Sequence, residues 1–144
     1  MDYLTLIEMQ VNNDCLVPLK TYTIGLWPEL GGFVFRISAD GKHGLVSETV
    51  DQSTDSTWFA AQNSFDFPEN HSKDGQNFKD WRLPTLFELD EMYTARLAIG
   101  NFDVYYWSST ENILTKAYFF NFFNGNNNYA SKPNTFSVRG VRAF

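Results

Sequence analysis

The segment Asp80-Trp81-Arg82-Leu83-Pro84-Thr85-Leu86-Phe87-Glu88 holds the strongest start signal in the chain. Thr85 can cap a helix that follows Pro84, and Glu88, three residues on, can reach back to close a capping box. Beyond it Leu86, Leu89, Met92, Tyr93 and Leu97 recur at helical spacing, and Gly100 stands where a C-terminal cap belongs. The pattern predicts one helix running from the Thr85 cap to Gly100.

On either side of this helix the period changes from helical to alternating. Upstream, Gly31-Gly32 opens a run of Phe33, Phe35 and Ile37 that stops at Asp40-Gly41 before Leu45 and Val46 resume, which predicts a β-hairpin. Thr57 to Asn63 reads as a short helix behind Asp55 or Ser56, and the polar stretch from Phe65 to Asp80 reads as surface loop. Leu4, Leu6, Ile7, Met9 and Val11 predict one or two N-terminal strands, with Asn12-Asn13-Asp14 as a turn. Downstream come Val104-Tyr105-Tyr106-Trp107, Ala117 to Phe123, an Asn124-Gly125 turn and a last segment from Val138 to Phe144. Asn and Gly tolerate the positive φ of a type I′ turn, so Asn124-Gly125 predicts a tight hairpin. Alternation then sets Tyr118, Phe120 and Phe122 on a core face and turns Phe119, Asn121 and Phe123 away from it. Trp81, Leu83, Trp107, Val138 and Val141 join the expected core, while Arg82, Arg139 and Arg142 are read as structural braces beneath the surface.

The chain has 144 residues, enough for one domain that buries roughly 70% of its unfolded surface. Its 11 Lys and Arg against 17 Asp and Glu give a net charge of -6, with no basic cluster, which argues against nucleic acid and anionic membranes as partners. A lone Cys15 makes no internal disulfide and no Cys-rich zinc site. The N-terminal apolar run, broken by Thr5 and closed by Glu8, reads as neither signal peptide nor membrane span, so display on a virion or cell surface would need another route. Of the 144 residues 25 are aromatic, and seven of the 13 Asn fall between positions 112 and 134. Rigid rings beside adaptable amides are the chemistry of recognition surfaces.

Other motifs carry less. Gly41-Lys42-His43 lacks the earlier glycine of a phosphate loop, because Arg36 stands there, and reads as a hairpin turn. His43 and His71 fall on expected loops without a triad or metal pattern, and both are read as surface residues. Asn70-His71-Ser72 is a formal glycosylation sequon read as loop sequence. Lys132-Pro133-Asn134 places a cation where a calcium site needs a carboxylate. Asp80, Glu88, Asp90 and Glu91 are explained by helix capping and solvation. These readings leave no catalytic residue, no metal and no cofactor.

Taken in order, Gly31-Gly32-Phe33-Val34-Phe35, Asp40 to Val46, Asp80 to Thr85, Tyr106-Trp107-Ser108-Ser109-Thr110-Glu111 and Val138 to Phe144 closely resemble bacterial and phage domains in the formylglycine-generating-enzyme-like branch of the C-type lectin fold. That branch includes the variable proteins of diversity-generating retroelements, and a related domain ends a bacterial collagen-like adhesin. The match runs from Ile24 to Phe144 and leaves residues 1–23 outside. It implies a single α+β domain of C-type lectin type over residues 1–144, with a variable ligand-binding region over residues 105–144. It further implies that a reverse transcriptase rewrites adenines in late Asn codons, whose products exclude Glu, Gln, Lys, Met and Trp. Those five types fill 22 of residues 1–111 but only two, Lys116 and Lys132, of residues 112–137. The enzyme branch uses active-site cysteines that this chain lacks, so the expected function is non-enzymatic binding of a protein ligand or receptor. The expected surface is Ile113, Thr115, Phe119, Asn121, Phe123, Asn126, Asn128, Tyr129, Ser131, Pro133 and Phe136. A catalytic or carbohydrate-binding relative, and a structural phage or pilus component assembled through residues 1–23, stand as alternatives.

Overall fold

Thr85 caps its helix as the sequence predicts: its side chain accepts from the Glu88 N–H, and the Glu88 carboxylate accepts from the Thr85 N–H. The computed structural model describes residues 9–12, 15–18 and 20–144. In chain order the elements are β1 (Met9–Asn12), β2 (Cys15–Pro18), β3 (Gly25–Trp27), β4 (Gly32–Ile37), β5 (Gly44–Ser47), β6 (Ser53–Ser56), α1 (Trp58–Asn63), α2 (Leu86–Thr94), α3 (Arg96–Ile99), β7 (Tyr105–Ile113), β8 (Lys116–Asn121), β9 (Asn127–Ser131), β10 (Phe136–Val138) and β11 (Val141–Ala143). The protein is a mixed α+β domain with two main sheets and short helices. One sheet has the order β6-β10-β7-β8-β9 and the other β11-β5-β4-β3; β1 and β2 pair only with each other among the described residues. The expected strands at the N-terminus are thus present as β1 and β2, while Leu4, Leu6, Ile7, Asn13 and Asp14 lie outside the described residues.

Hydrophobic burial closes the two sheets over three clusters. Phe33, Phe35 and Leu45 of the smaller sheet meet Leu89 and Met92 of α2 and Tyr106, Phe120 and Phe122. Trp58, Leu83, Trp107, Ala117 and Val138 form a second cluster on the other face of the larger sheet. Val34, Val46 and Trp81 anchor the third.

The expected helix from Thr85 to Gly100 is two helices. α2 ends at Ala95, where the chain redirects, and α3 restarts the phase, so Ile99 enters the core and Leu97 is 91% exposed. The short helix is capped by Thr57, whose side chain accepts from the Ala60 N–H, and not by Asp55 or Ser56. The stretch from Phe65 to Asp80 is not only surface. It makes three short 3-10 turns and carries His71 into the interior, against the expectation of a surface histidine. The reason is electrostatic, since the buried Glu48 carboxylate needs donors, and His71 Nδ1 and the Ser72 N–H both approach its Oε2.

The β8 to β9 connection also differs from a type I′ turn. Asn121 and Asn126 close it with a 2.8 Å backbone bond, and Gly125 alone in it has positive φ, at 78°. The Asn121 side chain takes the N–H groups of Phe123 and Asn124, which stabilises a longer loop than Asn124-Gly125 would need. Tyr118 is half-buried and not a core residue, packing edge-on against Tyr129. Phe119 and Phe136 are half-buried too, because the second cluster covers the face of β8 that alternation alone assigns to solvent.

Candidate functional site

The exposed end of the larger sheet is built on a rigid foundation. Tyr106 faces inward from β7 and is fully buried; its hydroxyl donates to the Asp51 carboxylate at 2.9 and 3.0 Å from the two oxygens and accepts from the Asp103 N–H. Burial and the neighbouring Asp51 charge drive the Tyr106 phenol well above its ordinary range. Burial also raises Asp51, against the pull of Arg139 and Tyr106. Arg139, fully buried, binds Asp51 through Nε and the carbonyls of Glu48, Gly100 and Asn101 through its other nitrogens. Ser137 donates to Asp103. This network ties the loop before β7 to the strand β10.

Fixing Tyr106 inward turns its neighbour Tyr105 outward. Tyr105 is 44% exposed and meets Phe119 and Phe136 at ring distances of 5.7 Å each; Phe119 and Phe136 lie 4.6 Å apart. Together with Asn121, Gly125, Asn126, Asn127 and Asn128, Tyr105 and Phe119 line a shallow groove of about 560 Å³. Its floor is aromatic, its walls are amides, and none of these lining residues is charged. Asn128 and Asn124 spend their side-chain oxygens on the N–H groups of Tyr129 and Asn126. Among the described residues the side chains of Asn126 and Asn127 make no hydrogen bond, so they are free to meet a ligand.

The eleven residues expected at the surface do not form one patch. Phe119, Asn121, Asn126 and Asn128 line the groove, and Phe136 supports its floor. Phe123, 83% exposed, projects from the loop beside them. Tyr129 pairs with Tyr118 on the opposite face of the sheet. Ile113, Thr115, Ser131 and Pro133 gather at the far end of β8, five residues and roughly 17 Å away. All four are exposed there. Tyr105, Gly125 and Asn127 are the groove residues missing from that set. The signal for Tyr105 was the inward Tyr106 beside it, because adjacent residues on one strand point to opposite faces.

Lys132 organises the far end. It is 3% exposed, its Nζ donates to Glu111 and to the Leu114 carbonyl at 2.6 Å each, and it lies 4.2 Å from the Trp58 ring centre. The braces read from sequence are present: Arg82 forks onto Glu88, and Arg142 binds Asp80 and the Leu30 carbonyl. Asp80, Glu88 and Glu91 are held by Arg142, Arg82 and Arg36 respectively, and Glu88 also closes the capping box. Among the described residues no three His, Cys, Asp or Glu side chains cluster as metal ligands, and no helix is long and apolar enough to cross a membrane.

A search of curated proteins returned no match. A family model of the Lcl C-terminal domain matches residues 36–142, a span that takes in α1 to α3, every strand of the larger sheet and the whole groove. The chain therefore belongs to the family of the Lcl C-terminal domain.

Proposed function

We propose that the protein is a non-enzymatic binding domain of receptor or adhesin type, on a C-type lectin-like fold, that recognises a protein ligand through the groove of β7, β8 and β9. One observation carries this reading: an aromatic floor walled by amides and free of charge, mounted on the buried Tyr106–Asp51–Arg139 network. Rings give contact area at low entropic cost, and free amides supply hydrogen bonds that adapt to a partner's main chain. A polypeptide fits this surface better than a sugar, whose hydroxyls call for more converging polar groups. The same reading takes residues 112–137 as positions rewritten by a retroelement, in keeping with their shortage of Glu, Gln, Lys, Met and Trp. It assigns no catalytic role to Cys15, His43 or the α2 carboxylates, and replacing them is expected to leave binding intact.

The test is a staining assay on cell surfaces with fluorescently labelled protein. Staining should vanish after protease treatment of the cells, survive periodate oxidation, and be lost with Tyr105→Ser combined with Asn126→Ala. Staining that periodate removes and protease spares would replace the protein ligand with a glycan. A near-copy of the gene's 3′ end, differing at adenines and lying beside a reverse-transcriptase gene, would establish the diversification; its absence would remove that part.

A further inference from the structure

β9 is the edge strand of the larger sheet. Edge strands are usually blunted by charge, proline or a bulge. Asn127-Asn128-Tyr129-Ala130-Ser131 has no charge and no proline, and its register with β8 runs without a bulge. The backbone bonds from Asn121 to Asn126 and from Lys132 to Thr115 bracket the ladder, so by alternation Asn128 and Ala130 bond to β8 and Asn127, Tyr129 and Ser131 face outward. Of the outward groups, the Tyr129 N–H is taken by the Asn128 side chain and the Ser131 carbonyl by Asn134. The Asn127 N–H and C=O, the Tyr129 C=O and the Ser131 N–H are unpaired among the described residues.

We infer that this edge pairs antiparallel with β9 of a second copy of the chain, about a two-fold axis at Tyr129. Three features select the second copy over a foreign strand. In that register Asn127 stands opposite Ser131, so the free Ser131 N–H of each copy meets the free Asn127 carbonyl of the other. No charge opposes its own image, which would destabilise the pair. Tyr129, 46% exposed, already packs edge-on against Tyr118 at 5.9 Å, and the axis extends this pair into a row of four tyrosines across the joined sheet. Five residues a side fall well short of the roughly 20–30 a side of a stable interface, so the dimer is weak and reversible. Continuous antiparallel pairing leaves both grooves on the same face of the joined sheet, which makes the dimer bivalent for a repeated ligand. The pairing itself does not depend on what fills the groove.

Sedimentation equilibrium of the protein alone, from micromolar to millimolar concentration, tests this. The wild type should shift from monomer to dimer, with the Ser131 amide becoming protected from hydrogen exchange as the dimer fills. Ser131→Pro removes the free donor without breaking a bond to β8, and Tyr129→Glu sets like charges against each other on the axis. Both should lower the association constant more than tenfold while keeping the wild-type circular dichroism and melting temperature. Should Ser131→Pro unfold, Tyr129→Glu alone decides. A wild type that stays monomeric at millimolar concentration, or a folded Tyr129→Glu that dimerises like wild type, overturns the inference.

Discussion

His71 and Glu48 face each other at 2.9 Å with almost no solvent on either side chain. His71 Nε2 donates to the Phe65 carbonyl at 2.8 Å, its ring stacks on Trp81, and Glu48 also accepts from the Thr49 and Ser72 N–H groups. The pair therefore clasps the start of the long 65–80 segment to the end of β5. Removing one member strands the other without water, which costs about 3–5 kcal/mol for a buried pair. His71→Leu and Glu48→Leu should each lose stability on that scale in urea denaturation. The double variant should lose less than their sum, because neither partner is then orphaned. Strictly additive losses would show that the two do not act as a pair.

The acid limb of stability should depend on Arg82. Burial acts to raise the Glu88 carboxyl, but the Arg82 fork and the Thr85 N–H together outweigh it and hold the group below its ordinary value. A carboxyl depressed in the folded state contributes stability that is present above its unfolded pKa and lost as pH falls through the folded one. The wild type should thus lose stability as acid protonates Glu88, and Arg82→Ala should flatten that part of the profile while lowering the neutral plateau. Melting temperatures measured from pH 7 downward decide it; parallel curves for the two proteins would mean that Glu88 draws nothing from Arg82.

Lys132 should be worth more than a surface lysine. In Lys132-Pro133-Asn134 its ammonium stands where a calcium site would need a carboxylate ligand, and it holds Glu111 and the Leu114 carbonyl from a nearly dry position. Hydrogen bonds to charged groups contribute about 1.5–3 kcal/mol, so Lys132→Met should cost an amount in that range. Added calcium should leave the wild-type melting temperature unchanged, since an ammonium stands where a calcium ligand would have to be an oxygen. A calcium-dependent rise would contradict this assignment.

What the sequence showed and what it concealed follow from the range of each interaction. The Thr85 and Glu88 capping box and the β4–β5 hairpin are set by neighbours within a few residues, and both are in place, though a register shift between Val34 and Arg36 sends Ile37 to the Val34 cluster and not to that of Phe33 and Phe35. The break at Ala95 was hidden because a single helical phase cannot register a change of axis. The burial of His71 depends on Glu48, 23 residues away, and no local pattern signals it. In β8 alternation correctly sorts side chains onto two faces but is silent on whether both are covered. Trp58 and Phe136, which pack over the Phe119 side, come from α1 and β10. The candidate site was legible in composition, as rings and amides late in the chain, and illegible in grouping. The length of β8, from Asn121 to Lys116, separates the groove from Ile113, Thr115, Ser131 and Pro133.

Phe119 and Phe123 should separate sharply when each is changed to Asn. Alternation puts them on one face, yet Phe119 is half-buried, 4.6 Å from the Phe136 ring and packed on the Trp107 cluster, whereas Phe123 is 83% exposed in the loop. Truncating a fully buried Phe costs about 3–5 kcal/mol, and a half-buried one about half of that, so Phe119→Asn should destabilise by about 2 kcal/mol. Phe123→Asn touches no packed ring and should fall within about 0.5 kcal/mol of wild type. Asn is chosen because it keeps the polarity of the groove walls, so Phe123→Asn isolates the loss of an exposed ring from any loss of fold. In the staining assay Phe123→Asn should weaken binding at wild-type stability, while Phe119→Asn should weaken both together. Equal stabilities for the two variants would return Phe119 to the solvent face, and a Phe123→Asn protein that stains like wild type would restrict the ligand to the groove itself.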